Sequence, residues 1–148
     1  MDNKEKLEIL GSPAVQVHIN MLQGVINKMS GNCVSCKQWT VTIVAAMLVL
    51  LVDKKMQIPN AWICLIPVVL FYYLDCYYLG LERLCISAQK KFIQNVANDD
   101  FIEHLYKLED ASGFCVRFCS TIKAINSFST TPFYLIVAII VLFFGGII

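Results

Sequence analysis

The chain has 148 residues, enough for one domain or two at most. Hydrophobic residues make up 57% of it, which exceeds the roughly 45–50% of soluble domains, and they concentrate in three uncharged runs. The net charge of +1 excludes a strong global attraction to anions, so an anionic partner needs a local basic patch. Residues 1–10 alternate charged and apolar side chains and predict no signal peptide. Seven cysteines without such a signal favour reduced thiols.

The first segment, residues 1–32, is predicted to hold an N-terminal cytoplasmic amphipathic helix. Ser12 followed by Pro13 is typical of a helix start. Behind this pair, apolar residues recur at spacings of three and four: Val15, Ile19, Leu22, Ile26 and Met29. The amide-rich opposite face favours packing on another helix, with a helix lying on the bilayer as the alternative. The pair Gly31-Asn32 either breaks this helix or lies within one long helix.

The next two segments predict a transmembrane hairpin. Transmembrane helix 1 is placed at residues 33–53, which puts Lys37 inside its cytoplasmic end. Transmembrane helix 2 is placed at 58–78, because its uncharged core has the length that a bilayer of about 30 Å requires. Pro67 predicts a kink within that span. Beyond the membrane the second helix is expected to continue in the cytoplasm to about residue 98.

Residues 99–128 are predicted to form short cytoplasmic helices, near 101–108 and 114–126, and residues 129–148 a third transmembrane helix. The third helix is expected to begin with a threonine cap followed by Pro132. The predicted fold is therefore an oligomeric all-α membrane protein with three transmembrane helices, the N-terminal amphipathic helix and a cytoplasmic helical layer.

The positive-inside rule predicts the orientation. Ten lysines and arginines lie before helix 1, at its cytoplasmic end (Lys37) or between helices 2 and 3, whereas only two lie in the loop of the hairpin. The expected topology is a multi-pass protein of the inner membrane, with the N-terminus and residues 79–128 in the cytoplasm and the C-terminus across the membrane.

Asp75 is the first candidate for a functional residue, because ionisable groups at this depth are costly unless paired. Lys37 lies at a similar height on the adjacent antiparallel helix, so we expect it to pair with Asp75, with tyrosine hydroxyls as alternative partners. Such a pair either fixes the hairpin or forms part of a charged ring at a pore mouth. Glu82 and Arg83, farther along the same helix, suit a solvated or intersubunit salt bridge.

A basic concentration follows in the cytoplasmic segments: Lys90, Lys91, Lys107, Arg117 and Lys123. These residues either orient the chain and meet anionic lipid headgroups or converge in an oligomer into an anion or oligonucleotide site.

Cys33-x2-Cys36 and Cys115-x3-Cys119 have the spacing of zinc half-sites but lack flanking glycines, so small apolar cysteines are favoured over a metal. No catalytic motif accompanies His18 or His104, and we expect neither an enzyme nor a cofactor.

Three stretches, KQWTVTIVAAMLVLL, IPVVLFYYLDCYYLGLERL and SFSTTPFY, resemble small three-span bacterial membrane proteins of anti-phage defence, such as the effector of the Hailong system. The matching residues are Lys37, Trp39, Asp75, Tyr77, Tyr78, Leu79, Glu82 and Arg83. The resemblance implies an oligomeric, ligand-gated pore that disrupts membrane potential. In the Hailong system a partner nucleotidyltransferase makes a DNA oligomer that holds the channel shut, which implies a nucleotide or single-stranded DNA ligand here. The alternatives are a membrane anchor or scaffold for a cytosolic partner, and an immunity or accessory role.

Overall fold

The computed structural model describes residues 8–9, 11–52, 62–97, 113–125 and 127–144, and within these the regular structure is helical. The four α-helices are α1 (Pro13–Val52), α2 (Leu65–Ala97), α3 (Phe114–Ile125) and α4 (Thr131–Phe144). The fold is thus all-α, as predicted. The short helix expected near 101–108 lies outside the described residues.

Helix α1 begins where the cap-and-proline pair predicts it. The backbone N–H of Gln16 donates to the carbonyl of Ser12 at 3.1 Å, so Ser12 caps the helix and Pro13 is its first residue. The helix then runs 40 residues to Val52 without a break at Gly31. At 1.5 Å per residue it is about 60 Å long, twice the thickness of a hydrocarbon core.

Helices α1 and α2 form a long antiparallel hairpin with a constant register. Three contacts at increasing distance from the connecting loop define it: Cys33 with Asp75, Gln23 with Gln89, and His18 with Phe92. The predicted apolar seam of α1 faces α2 only in part, because His18 is buried whereas Ile19 is half-buried. The N-terminal helix therefore packs on another helix of its own chain.

The start of α2 differs from the predicted kinked span. A 3₁₀ turn covers residues 62–64 and the α-helix begins at Leu65, so Pro67 lies in its first turn. The first turn of a helix has backbone N–H groups without intrahelical partners, so a proline there removes no hydrogen bond. Pro67 thus lies two residues after the change from 3₁₀ to α-helix, and the predicted kink stays a prediction. The predicted start of the span at residue 58 lies outside the described residues.

Helices α3 and α4 pack against the hairpin from one side. Helix α3 runs antiparallel to α2 and contacts it at Gly80, where an added Cβ would lie 3.0 Å from the backbone nitrogen of Thr121. The Ser120 hydroxyl donates to the Gly80 carbonyl at 2.9 Å. Helix α4 then packs Tyr134, Val137 and Val141 into a core shared with both helices of the hairpin. Helix α4 starts one residue earlier than the threonine-proline pair predicts: the backbone carbonyl of Thr130 accepts the first helical hydrogen bond, which places Thr131 at the first position and Pro132 at the second.

Large apolar side chains are exposed around the half of the hairpin nearest its loop and around α4. We call this surface the apolar belt: Trp39, Val41, Val49 and Leu50 on α1, Trp62, Ile63, Ile66, Val69 and Leu70 on α2, and Leu135, Ile136, Ile139, Ile140, Phe143 and Phe144 on α4. The opposite half of the hairpin, residues 13–28 and 83–97, is called the stalk. Two helices, Pro13–Leu50 and Trp62–Val96, are long and apolar enough to cross a membrane, while α4 is shorter. These features are compatible with a membrane protein.

Candidate functional site

A buried ion pair joins α1 to α2 beside the apolar belt. The ammonium nitrogen of Lys37 lies 2.7 Å from Oδ2 of Asp75, so the predicted pair is formed. The side chain of Asp75 is 1% exposed, whereas that of Lys37 is 26% exposed. The antiparallel register brings the two residues to the same height, and the long lysine side chain reaches across the helix interface.

The other groups around Asp75 are polar but uncharged. The Thr40 hydroxyl donates to the Cys36 carbonyl at 2.7 Å, and the Tyr134 hydroxyl, which lies beside Asp75, donates to the Phe71 carbonyl at 3.2 Å. Oδ1 of Asp75 is buried and has no hydrogen-bond partner among the described residues. Lys37 therefore supplies the main compensation for the charge of Asp75.

The tyrosines expected near Asp75 have other roles. Tyr72 donates through its hydroxyl to the Ile125 carbonyl at 2.9 Å and thereby ties α2 to the end of α3. The tyrosine beside Asp75 is Tyr134, from the first turn of α4. The sequence carried one signal for it, the aromatic pair Phe133-Tyr134 directly after the predicted helix start.

An outer groove of about 710 Å³ lies on the other side of Lys37. Its lining residues are Lys37, Gln38, Trp39, Val41, Thr42 and Phe133. The ammonium group of Lys37 thus lies between the buried carboxylate of Asp75 and a groove open to the surroundings. A displacement of Lys37 toward the groove would leave the charge of Asp75 uncompensated in the core.

Glu82 and Arg83 have no salt bridge to each other within the described part of one subunit, and the intersubunit bridge stays a prediction. The Arg83 guanidinium donates to the Ser127 hydroxyl at 3.0 Å and so holds the turn between α3 and α4. Glu82 points toward α1, close enough to Cys33 for an electrostatic interaction. The two residues diverge because neighbouring positions on a helix project about 100° apart.

The structure describes four of the five residues of the predicted basic site. Lys90 and Lys91 are exposed on the stalk, and Arg117 and Lys123 are exposed on α3. Lys123 lines a small groove of about 350 Å³ with Leu84 and Val116. Lys107 lies outside the described residues.

The cysteines lie mainly at helix contacts. Five of them are buried, Cys33, Cys36, Cys64, Cys76 and Cys85, while Cys119 is exposed. The described residues contain no group of three His, Cys, Asp or Glu side chains able to hold a metal ion. The side chain of Cys115 and all of His104 lie outside the described part of the chain.

His18, which no catalytic motif accompanies in the sequence, is a structural residue. Its ring is 1% exposed and lies 4.1 Å from the ring of Phe92, centroid to centroid. Burial lowers the pKa of His18 below its ordinary value of 6.5. The neutral imidazole is thus the form that this contact between α1 and α2 favours.

Comparison with protein-family models, with curated proteins and with solved structures found no match for the chain.

Proposed function

We propose that the protein is an oligomeric membrane effector that forms a gated pore, whose opening disrupts inner-membrane potential in anti-phage, or abortive-infection, defence. Three membrane spans are part of this proposal, with the N-terminus and residues 79–128 on the cytoplasmic side. Control by a nucleotide or DNA-oligomer ligand on that side is also part of it. The residue pattern shared with anti-phage effectors, the apolar belt and one face of α1 support the proposal.

The observation that carries the proposal is a small and polar face of α1 that enters the apolar belt from the stalk side. It consists of Gly31, Ser35, Gln38 and Thr42, all exposed and spaced by three or four residues. The hydroxyls of Ser35 and Thr42 donate to carbonyls of their own helix at 3.0 and 2.9 Å. The amide of Gln38 has no such partner among the described residues. An unpaired amide in hydrocarbon costs roughly 2–7 kcal/mol, which favours a second subunit or a water-filled path here.

Several copies of the chain are needed for a pore. Within the described residues the inner surfaces of α1, α2 and α4 pack a closed core around Val44, Val68 and Val137, which leaves no path through one subunit. A ring of copies that turns the Gly31–Thr42 face of α1 inward encloses a path with polar groups at intervals. Lys37 lies beside this face and joins it to Asp75.

Expression in cells with a membrane-potential dye tests the proposal. We expect the wild-type chain to depolarise the membrane when its neighbouring genes are absent, and Gln38→Leu to weaken this effect strongly. Gln94→Leu is the matched control, because it makes the same change at an exposed position of the stalk. An intact potential with wild-type chain in the membrane fraction would contradict the pore. Equal depolarisation by the two variants would contradict a role of the α1 face in it.

A membrane anchor or scaffold is the second candidate, and the stalk favours it. The stalk exposes apolar side chains that a cytosolic partner can cover: Val17, Met21 and Ile93. In this case the chain leaves the potential intact, and Val17→Ser with Met21→Ser releases a bound partner from the membrane fraction.

A further inference from the structure

Three exposed basic residues, one each on α1, α2 and α3, lie at the same position along the axis of the hairpin. The contacts of Gln23 with Gln89 and of Cys33 with Asp75 place Lys28 opposite Arg83. The contact of Gly80 with Thr121 places Arg117, one turn before Thr121 on the antiparallel α3, at the height of Leu84. We call Lys28, Arg83 and Arg117 the basic ring.

The distance from this ring to the loop end of the hairpin matches a bilayer. From Arg83 to Trp62 the chain rises about 32 Å, close to the hydrocarbon thickness of about 30 Å. From Asp75 to Trp62 it rises only about 20 Å, which is too short. Between residues 62 and 82 no acidic or basic residue is exposed, because Asp75 is buried and Glu82, at the last position, is half-buried. The length of the hairpin therefore matches the hydrocarbon thickness if the Lys37–Asp75 ion pair lies inside the membrane.

The surface of α3 agrees with this placement. Phe118, Ile122 and Ile125 are 54%, 51% and 42% exposed, and Phe128 in the following turn is 96% exposed. These side chains extend the apolar belt from α4 toward the basic ring. Lys123 shares a groove with Leu84 and Val116, so its side chain extends back toward the ring, as a lysine does when its backbone lies in lipid.

Several backbone groups at the break between α3 and α4 have partners within the protein. The Ile125 carbonyl accepts hydrogen bonds from the hydroxyls of Tyr72 and Thr131, and the Ala124 carbonyl accepts one from the N–H of Ser127 at 3.0 Å. Arg83 bonds the hydroxyl of Ser127. Irregular backbone at membrane depth requires such internal partners, whereas a turn in water does not.

We propose that the membrane boundary lies at the basic ring, against the headgroup phosphates of an anionic leaflet, so that residues 118–144 form one interrupted span and Lys37–Asp75 lies inside the membrane. This boundary narrows the cytoplasmic segment between the second and third spans from residues 79–128, as proposed above, to residues 84–117. The ion pair is then about 12 Å from the ring and Trp39 about 16 Å, near the bilayer centre. Arg117 and Lys123 then contact the lipid headgroups. Of the described residues in the predicted ligand site, Lys90 and Lys91 remain for a cytoplasmic ligand. This inference rests on the membrane insertion proposed above.

The natural tryptophans allow a direct measurement of depth. The chain has two, so Trp62→Phe leaves Trp39 as the only one, and Trp39→Phe leaves Trp62. Each protein is reconstituted in vesicles that contain phospholipids brominated either near the glycerol or near the chain end. For Trp39 we expect a ratio of deep to shallow quenching above one, and for Trp62, at the far interface, a ratio below one. A ratio below one for Trp39 overturns the proposal and places the boundary at Lys37.

A second probe tests the interrupted span. In a chain with both tryptophans changed to phenylalanine, Phe128→Trp should be quenched by shallow bromolipids, while Ile93→Trp on the stalk should not. Equal, negligible quenching of both overturns the interrupted span. Absence of quenching at Trp39 and Trp62 alike overturns membrane insertion itself, so that failure of the proposed function is distinguishable from failure of the boundary.

Discussion

Lys37 and Asp75 bring two charges into a part of the protein whose outer surface is apolar. A buried pair of this kind is compensated only while both partners are present, because each charge has lost its hydration. Oδ1 of Asp75 lacks a hydrogen-bond partner among the described residues, so the neighbouring hydroxyls do not replace the lysine. The pair therefore holds α1 and α2 in one register and penalises any movement that separates them.

Replacement of Lys37 alone should destabilise the protein far more than replacement of both residues. Removal of one partner of a buried pair costs about 3–5 kcal/mol, whereas an apolar pair of similar volume is often neutral. We expect Lys37→Met to lower the free energy of unfolding in micelles by about this amount, and the added Asp75→Leu to restore most of it. Lys28→Met, at an exposed position of the same helix, is the control. Additive effects of the two substitutions would show that the pair is not coupled.

His18 should make the stability of the stalk depend on pH. Its pKa in the folded chain lies below 6.5, so the unfolded chain takes up the proton first as the pH falls. The stabilisation is complete above about pH 6.5 and decreases as the pH falls toward the folded-state pKa, by at most about 1.4 kcal/mol per pH unit. Unfolding followed from pH 8 to 5 should lose this dependence in His18→Leu but keep it in His104→Gln. An unchanged pH profile in His18→Leu would contradict this role.

At the scale of elements, the structure depends on a close approach of α2 and α3 at Gly80. The atoms facing its missing Cβ are the backbone N and Cα of Thr121 and the backbone C of Ser120, at 3.0 to 3.2 Å. Backbone cannot rotate away as a side chain does. Small residues at helix contacts of this type let helices approach closely in membranes.

Gly80→Ala should therefore push α3 outward and lower the free energy of unfolding by about 1–3 kcal/mol. The same change at Gly24, whose Cβ would meet no atom within 4 Å, should raise stability by up to about 1 kcal/mol, since alanine favours a helix. Thermal unfolding of the two variants in one detergent measures the difference. Similar effects of both changes would mean that α2 and α3 do not pack this closely.

For the whole molecule, the proposed odd number of spans determines where the ends of the chain lie. A phosphatase reporter that is active only outside the cytoplasm should be active when fused after Ile148 and inactive when fused before Met1. Insertion of the same reporter after Asp110 should also leave it inactive, because the stalk side carries most of the basic residues. Activity of the Met1 fusion with inactivity of the Ile148 fusion would reverse the orientation. Inactivity of both terminal fusions would indicate an even number of spans.

Much of the fold follows from local patterns that need no partner. Ser12-Pro13 predicts the start of α1 because capping depends on neighbouring residues alone. The position of Lys37 opposite Asp75 follows from counting residues along the two antiparallel helices from the short loop that connects them. Pro67 marks the limit of such patterns, because a proline kinks a helix interior but suits a first turn, and its position two residues after Leu65 is visible only in the structure.

The candidate site is only partly predictable from the sequence. Tyr134 lies beside Asp75 although its helix is distant along the chain. The guanidinium of Arg83 donates a hydrogen bond to Ser127 and does not pair with the neighbouring Glu82. Such contacts depend on how α3 and α4 are rotated against the hairpin. That rotation is decided by packing at Gly80 and Val137, which no local pattern encodes.

By itself, the sequence determined the all-helical class, the apolar character and the antiparallel hairpin, because hydrophobic periodicity, caps and residue counts are properties of short segments. The tertiary structure alone decided which side chains of these helices meet. It buried His18 against Phe92, used Tyr134 beside the ion pair, and left the small polar face of α1 uncovered. The physical reason is that burial depends on close packing between distant segments, and the free energy of that packing is shared among all of them.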